Sequence, residues 1–188
     1  MAVRRKKWPI RRIWPGLTVV FVLLGAVLLV YSGLNYYHYN RSIQPAVAVE
    51  AIATPAPGPS APVHLTIAGV LDEPLERGSY GNGRWSVSDT AGTYLVQSAK
   101  PGEPGNVIIY GHNKADIFGS LPKVTGRERV TLRLENGTER HYRIVSRETV
   151  GQDRTDLLAP TDTETLTVYT CTGWLDQDRF VVKAVPAG

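Results

Sequence analysis

The stretch Arg129-Val-Thr-Leu-Arg-Leu-Glu-Asn-Gly-Thr-Glu-Arg-His-Tyr-Arg-Ile144 decides the fold class. Val130, Leu132 and Leu134 alternate with polar residues, as do Tyr142 and Ile144 on the return, which is the period of two half-buried strands. Asn136-Gly137 invites a two-residue turn. That turn would set Leu134 against Glu139 and Leu132 against His141, bringing polar groups onto the apolar face. A slip of one residue flips every side chain and restores the match. The expected loop is therefore Glu135-Asn136-Gly137, with Gly137 left-handed in a bulge and His141 facing solvent.

Similar β-rich runs lie on either side: His64–Val70, Trp85–Ser88, Gly92–Gln97, Asn106–Tyr110, Thr165–Thr170 and Arg179–Val185, beside the hairpin's own Arg129–Leu134 and His141–Val150. Turn signals such as Pro101-Gly-Glu-Pro-Gly105 separate them. Only Ala115–Lys123 and Thr155–Leu158 suit a helical turn or two. Residues 64–188 are thus expected to form one mainly β domain, an antiparallel barrel or sandwich with short helices, long enough to bury its own core.

Upstream the composition changes twice. Residues 1–12 hold Arg4, Arg5, Lys6, Lys7, Arg11 and Arg12 with no acid, and the next stretch carries no Lys, Arg, Asp or Glu until Arg41. Residues 13–37 read as a transmembrane signal-anchor helix, since about 20 apolar residues cross a hydrocarbon core. Trp8 and Trp14 flank one end, and Tyr31, Tyr36, Tyr37 and Tyr39 the other, as interfacial aromatics do. A cleaved signal has a shorter apolar region, about 7–15 residues, and the nearest Ala-x-Ala, Ala46-Val47-Ala48, lies well beyond this one. The basic tail places the N-terminus in the cytoplasm and the remainder outside it. His38 falls in the juxtamembrane aromatic cluster. Residues 38–63, with Pro45, Pro55, Pro57, Pro59 and Pro62, read as an extended stalk.

The formal net charge of +4 belongs to the tail. With its six bases set aside, the 15 that remain face 17 acids. Nucleic acid is excluded as a partner on this balance. A single cysteine excludes a disulfide within the chain, and that thiol, on the oxidising side of a membrane, needs a reason to be there. Cys171 ends the run Glu164–Cys171, His112 follows the run Asn106–Gly111, and Arg179 begins the run after a seven-residue connection, Thr172–Asp178. Gly111 is expected to let the backbone turn sharply before His112. If the flanking strands pair, Cys171 and Arg179 face each other. A thiolate attacks a carbonyl, imidazole serves as acid and then base, and guanidinium holds the oxyanion, which makes a coherent acyl-transfer set. A buried, structural cysteine is the competing reading.

Other groups carry less. Asp153, Asp156, Asp162 and Glu164 do not have the spacing of a calcium cage and read as a solvated acidic loop. The histidines lack partners for zinc, so no metal and no cofactor are assigned. Trp85 reads as packing, and Trp174, after the cysteine, as packing or as a wall of a peptide groove. Ser86, Ser88 and Ser98 lack a Gly-x-Ser-x-Gly context.

Gly111-His112-Asn113, Thr165-Leu-Thr-Val-Tyr-Thr-Cys171 and Asp178-Arg179-Phe180-Val-Val, in this order behind an anchor and stalk, resemble the sortases, membrane-anchored cysteine transpeptidases of bacterial surfaces. The resemblance spans residues 64–188 and implies a closed eight-stranded β-barrel. It implies His112, Cys171 and Arg179 as catalytic residues; Thr170, beside the nucleophile, and Trp174, in the loop that follows, are expected at the substrate. It also implies cleavage of an LPxTG-type sorting signal between Thr and Gly through a thioester on Cys171. Its partners would be surface proteins bearing that signal, an amine acceptor (peptidoglycan precursor or pilin), and the bilayer through residues 13–37. Two other readings use the same residues. One is a membrane-tethered, non-catalytic peptide-binding barrel. The other is an L,D-transpeptidase acting on peptidoglycan, whose usual Ser-His-Gly-Cys run is missing.

Overall fold

The computed structural model describes residues 14–41, 61–81 and 83–188. The basic tail and residues 42–60 of the expected stalk lie outside them, while its residues 38–41 end a helix and Pro62 and Val63 begin a strand. Two units are resolved. The first contains α1 (Trp14–Arg41), whose 28 residues include the uncharged stretch Val19–Tyr36. Phe21, Leu24 and Leu29 project from it without protein cover. It is long and apolar enough to cross a bilayer and is consistent with a single-pass anchor.

The second unit is a barrel. Its strands are β1 (Pro62–Ile67), β2 (Leu71–Gly78), β5 (Gly92–Leu95), β6 (Asn106–Gly111), β7 (Arg129–Leu134), β8 (Glu139–Gly151), β9 (Thr165–Thr172) and β10 (Asp178–Pro186). They close in the order β1-β2-β5-β6-β9-β10-β8-β7, with β7 returning to pair β1. Short strands β3 (Tyr80–Gly81) and β4 (Arg84–Trp85) form a separate hairpin. The expected eight-stranded closed barrel is therefore present, although its membership differs by one strand. Trp85–Ser88 contributes only the end of β4, and β2 takes the eighth place.

Strand β2 is hidden in the sequence because only Leu71, Leu75 and Gly78 are buried along it. Residues 71–74 pair with β1 and residues 75–78 with β5. Each half is paired on one side only, which accommodates Pro74 at the change of partner. The hairpin follows the apolar pattern rather than the Asn-Gly rule. Val130 pairs with Tyr142 and Leu132 with Arg140. Gly137 has φ +81° and donates to Leu134 O at 2.9 Å, so the loop is Glu135–Gly137, and His141 is exposed. Thr155–Leu158 forms a 3-10 turn, while Ala115–Lys123 is mostly turns ending in the 3-10 helix Leu121–Lys123.

Two apolar clusters organise the domain. Leu65, Ile67, Val107, Ile109, Leu166, Val168, Phe180 and Val182 fill the barrel. Alternate residues of the same central strands, Ile108, Tyr110, Tyr169 and Val181, turn outward and are covered by Trp85, Leu157 and Leu158. Strands buried on both faces lose the alternation of a half-exposed sheet, which is why β6 and β9 read as continuous runs.

Glu164 corrects the reading of a solvated acidic loop. Its carboxylate accepts from Arg140 Nη2 (2.6 Å) and Nε (3.2 Å), Tyr142 Oη (2.7 Å) and Gly102 N (2.8 Å), joining β8, the β5–β6 turn and the foot of β9. Burial alone would raise this carboxyl, but Tyr142, Arg140 and the Gly102 amide together hold it below the ordinary glutamate value. A depressed carboxyl stabilises the fold above its unfolded value, about pH 4.3, and ceases to do so as pH falls through the folded value. Glu164→Gln is therefore expected to lower stability by about 1–3 kcal/mol at pH 7. In denaturant titrations the gap from the unaltered chain should close below about pH 4. A gap independent of pH would show that the charge of Glu164 is not what stabilises.

Candidate functional site

Strand pairing alone assembles the site. Gly111 pairs with Thr170 in the parallel β6–β9 ladder, so His112, one step further, stands opposite Cys171. Cys171 in turn pairs with Arg179 across the antiparallel β9–β10 ladder. Neighbouring strands are about 4.8 Å apart, and paired residues share a face. His112, Cys171 and Arg179 thus form one row across three adjacent strands, on the outer face with Tyr110, Tyr169 and Val181. All three are buried, at 7%, 5% and 8% exposure. Cys171 belongs to neither apolar cluster.

Thr170 points the other way. It pairs with Phe180, which belongs to the barrel interior, and donates from Oγ1 to Gly111 O at 2.9 Å. That bond ties β9 to β6 one residue before the row. Gly111 does not turn the chain at a left-handed φ. A Cβ there would lie 3.2 Å from Ile117 and Phe118, so the residue is needed for close approach.

The connection Gly173–Gln177 carries backbone strain beside the row. Gly173 has φ +81°, and a Cβ there would meet Asp178 Oδ2 at 2.4 Å. Leu175 and Asp176 are left-handed at φ +52° and +57°, conformations that cost energy for residues with a Cβ. Arg179 holds this turn by donating from Nη1 to Asp176 O (2.8 Å) and Asp178 O (2.9 Å). Its Nη2 is buried with no hydrogen-bond partner among the described residues. An unspent buried guanidinium donor is costly unless a ligand completes it. Trp174 is 74% exposed and so does not pack.

A groove opens next to Arg179. Val150 from β8, Tyr169 from β9 and Val181 from β10 line one side, and Arg154, Thr155, Leu157 and Leu158 the other. Asn106 sets the second wall. Its Nδ2 donates to Leu157 O and Ala159 O, both at 3.1 Å, while its Oδ1 accepts from Thr167 Oγ1 at 2.7 Å. Behind the groove runs an aromatic ladder. Tyr169 stacks on Tyr110 at 5.6 Å, and Tyr110 meets Trp85 edge-on at 5.2 Å and donates to Ser86 O at 2.6 Å. The Tyr169 hydroxyl is buried with no hydrogen-bond partner among the described residues.

Burial holds the His112 imidazole below its ordinary value. The Lys114 ammonium pushes in the same direction, and the Asp89 and Asp176 carboxylates offset both in part. An imidazole can take up a proton and return it. Among the described residues no cluster of His, Cys, Asp or Glu is arranged to hold a metal ion.

Asn106, Tyr169, Asp89 and the groove wall escape a reading of sequence alone, because each depends on contacts far along the chain. The polar Asn106 and Thr167 inside otherwise apolar strands are the one local signal.

Comparison with known proteins fits this geometry. The sequence matches the Sortase domain family over residues 65–187. No curated protein matches it. The barrel resembles sortase C1 of GBS pilus island 1, with TM-score 0.56 and 22% identity over 66% of this chain and 64% of that one. It also resembles sortase A from Corynebacterium diphtheriae, with TM-score 0.60 and 19% identity over 84% of each chain. A Clostridium perfringens sortase D5 transpeptidase gives TM-score 0.56 and 23% identity over 68% of this chain and 79% of its own. Identities this low speak to the fold alone.

Proposed function

The chain belongs to the sortase family, and from that premise we propose that it is a membrane-anchored cysteine transpeptidase with Cys171 as nucleophile. The observation that carries this reading is the row His112–Cys171–Arg179, in which Arg179 lines the groove and keeps a buried Nη2 without a hydrogen-bond partner among the described residues.

The substrate is a surface protein with an LPxTG-type signal. Its apolar residues lie in the groove against Val150, Leu157, Leu158 and Val181, and its Thr carbonyl faces Cys171. Cys171 passes its thiol proton to His112, and the thiolate so formed attacks that carbonyl. Charge passes to the carbonyl oxygen, where the Arg179 guanidinium, always ionised and already buried, stabilises it without reorganisation. Protonated His112 gives its proton to the departing Gly amine, and the Thr acyl group remains as a thioester on Cys171. An acceptor amine then attacks the thioester, His112 takes the amine proton, and Cys171 leaves as thiolate. The acceptor is a peptidoglycan precursor or a pilin lysine. Thr170 acts from behind by fixing β9 to β6. Trp174, exposed at the mouth of the row, covers the bound peptide. The helix at residues 14–41 anchors the enzyme, with the basic tail cytoplasmic and the barrel outside.

Incubating the full chain with a peptide library, with and without added amines, is expected to give cleavage between Thr and Gly, and amine-dependent ligation. Cys171→Ala should abolish both while peptide binding persists. Products unchanged in that variant would remove Cys171 from the chemistry, and binding with no turnover by the unaltered chain would mark a binding barrel. Arg179→Lys is expected to lower kcat/KM about 100-fold or more with the barrel intact, because an ammonium does not copy a planar fork; near-normal rates would exclude Arg179 from the oxyanion role. Trp174→Ala should change stability by less than about 0.5 kcal/mol. It should also raise KM by about fivefold, the equivalent of about 1 kcal/mol of lost contact, and an unchanged KM would leave Trp174 outside the peptide site.

A further inference from the structure

One pair of charges lies against the imidazole and is not used in the reaction as derived. Asp89 Oδ1 is 3.5 Å from His112 Nε2 and also 3.5 Å from Lys114 Nζ. The Lys114 ammonium donates to the Asp89 backbone carbonyl at 3.2 Å as well. The histidine side chain is only 9% exposed and the aspartate 79%, so the carboxylate meets the ring from the solvent side.

Asp89 is held there by its own loop, the β4–β5 connection. Ser88 N donates to Thr93 Oγ1 at 2.9 Å, and Ser88 Oγ accepts from Thr90 N at 3.2 Å and Ala91 N at 3.1 Å. The first bond fastens Ser88 to β5, and the other two close the loop around residue 89. We propose that Asp89 is a positioning residue for His112: its carboxylate holds the Nε2 edge of the ring, and Lys114 competes for the same oxygen. The proposal rests on the reading of His112 as the acid and base of the reaction.

The consequence is chemical. A carboxylate at Nε2 favours the form in which Nε2 keeps its proton, and this leaves Nδ1 as the nitrogen that exchanges a proton with substrate. It also favours the imidazolium, the form that must protonate the leaving amine. Lys114 opposes this by neutralising Asp89 and by its own charge. Asp176 from the β9–β10 connection also acts on the ring, Cys171 stands next to His112 in the row, and Arg179 lies one strand beyond Cys171. Asp176 supports the imidazolium and Lys114 works against it. Asp89 and Lys114 thus set, from opposite directions, the fraction of His112 able to act as acid.

The test reads His112 directly and does not depend on turnover. The full chain in detergent, carrying Cys171→Ala to remove coupling to the thiol, is labelled for NMR, and the His112 ring proton is followed through a pH titration. At low ionic strength Asp89→Asn is expected to lower the midpoint by about 0.5–1 pH unit, the size of one charge interaction at this range in a wet site. Lys114→Met is expected to raise it by a similar amount. Both shifts should shrink in about 1 M salt, where screening is short. His141, bonded to Thr131 on another face, should not move. In chains that retain Cys171, the kcat/KM profile should move in the same directions. Coincident His112 midpoints in the three chains, or a rise in Asp89→Asn, would overturn the proposal. Absence of any cleavage by the unaltered chain would instead strike at the reading on which it rests.

Discussion

The site depends on one register, the parallel pairing of β6 with β9 flanked by the antiparallel pairing of β9 with β10. A slip of β9 by one residue would carry Cys171 into the barrel and bring Thr170 out to the row, because side chains alternate strictly between faces. Several contacts oppose that slip. Val168 and Leu166 fill the interior, Tyr169 stacks on Tyr110 outside, and Thr170 is bonded to Gly111 O. The apolar core and the outer aromatic ladder therefore enforce the same alignment from opposite faces. The row His112–Cys171–Arg179 is a consequence of how the sheet is packed.

Around that row the protein keeps features that stability alone would remove. Leu175 and Asp176 hold left-handed backbone, and Arg179 is buried with one nitrogen unspent. Its Nη1 grips the strained turn through the carbonyls of Asp176 and Asp178. The guanidinium is thereby fixed before any substrate arrives, which is the arrangement that makes electrostatic stabilisation effective. Asn106 performs a similar service on the far side of the groove, where it pins the Leu157–Leu158 wall to β6. Rigid placement of polar groups by a sheet is what a site of this kind requires.

Much of this was legible from residue pattern. Alternation in Arg129–Ile144 outweighed the Asn-Gly dipeptide and gave the right hairpin. The position of Arg179 after a short connection gave its pairing with Cys171. Strand β2 was not legible, since Pro74 and four charged residues mask a strand that buries only Leu71, Leu75 and Gly78. Trp85–Ser88 looked like a barrel strand because Trp85 is buried, but its cover is the outer cluster, not the interior. Glu164 looked solvated because Arg140, Tyr142 and Gly102, its donors, are 22 to 62 residues away in the chain. Local pattern carries the period of an element; it does not carry which distant partner satisfies a polar atom.

The central claim is that thiol, guanidinium and groove serve one bound carbonyl. The most direct measurement is a crystal structure of the chain after reaction with a peptide aldehyde of the sorting-signal sequence, whose hemithioacetal oxygen stands in for the oxyanion. The expected result is a bond to Cys171 Sγ, that oxygen about 3 Å from Arg179 Nη2, and the peptide lying against Leu157, Leu158 and Val181. An unmodified Cys171, or an adduct whose oxygen turns away from Arg179, would contradict the account.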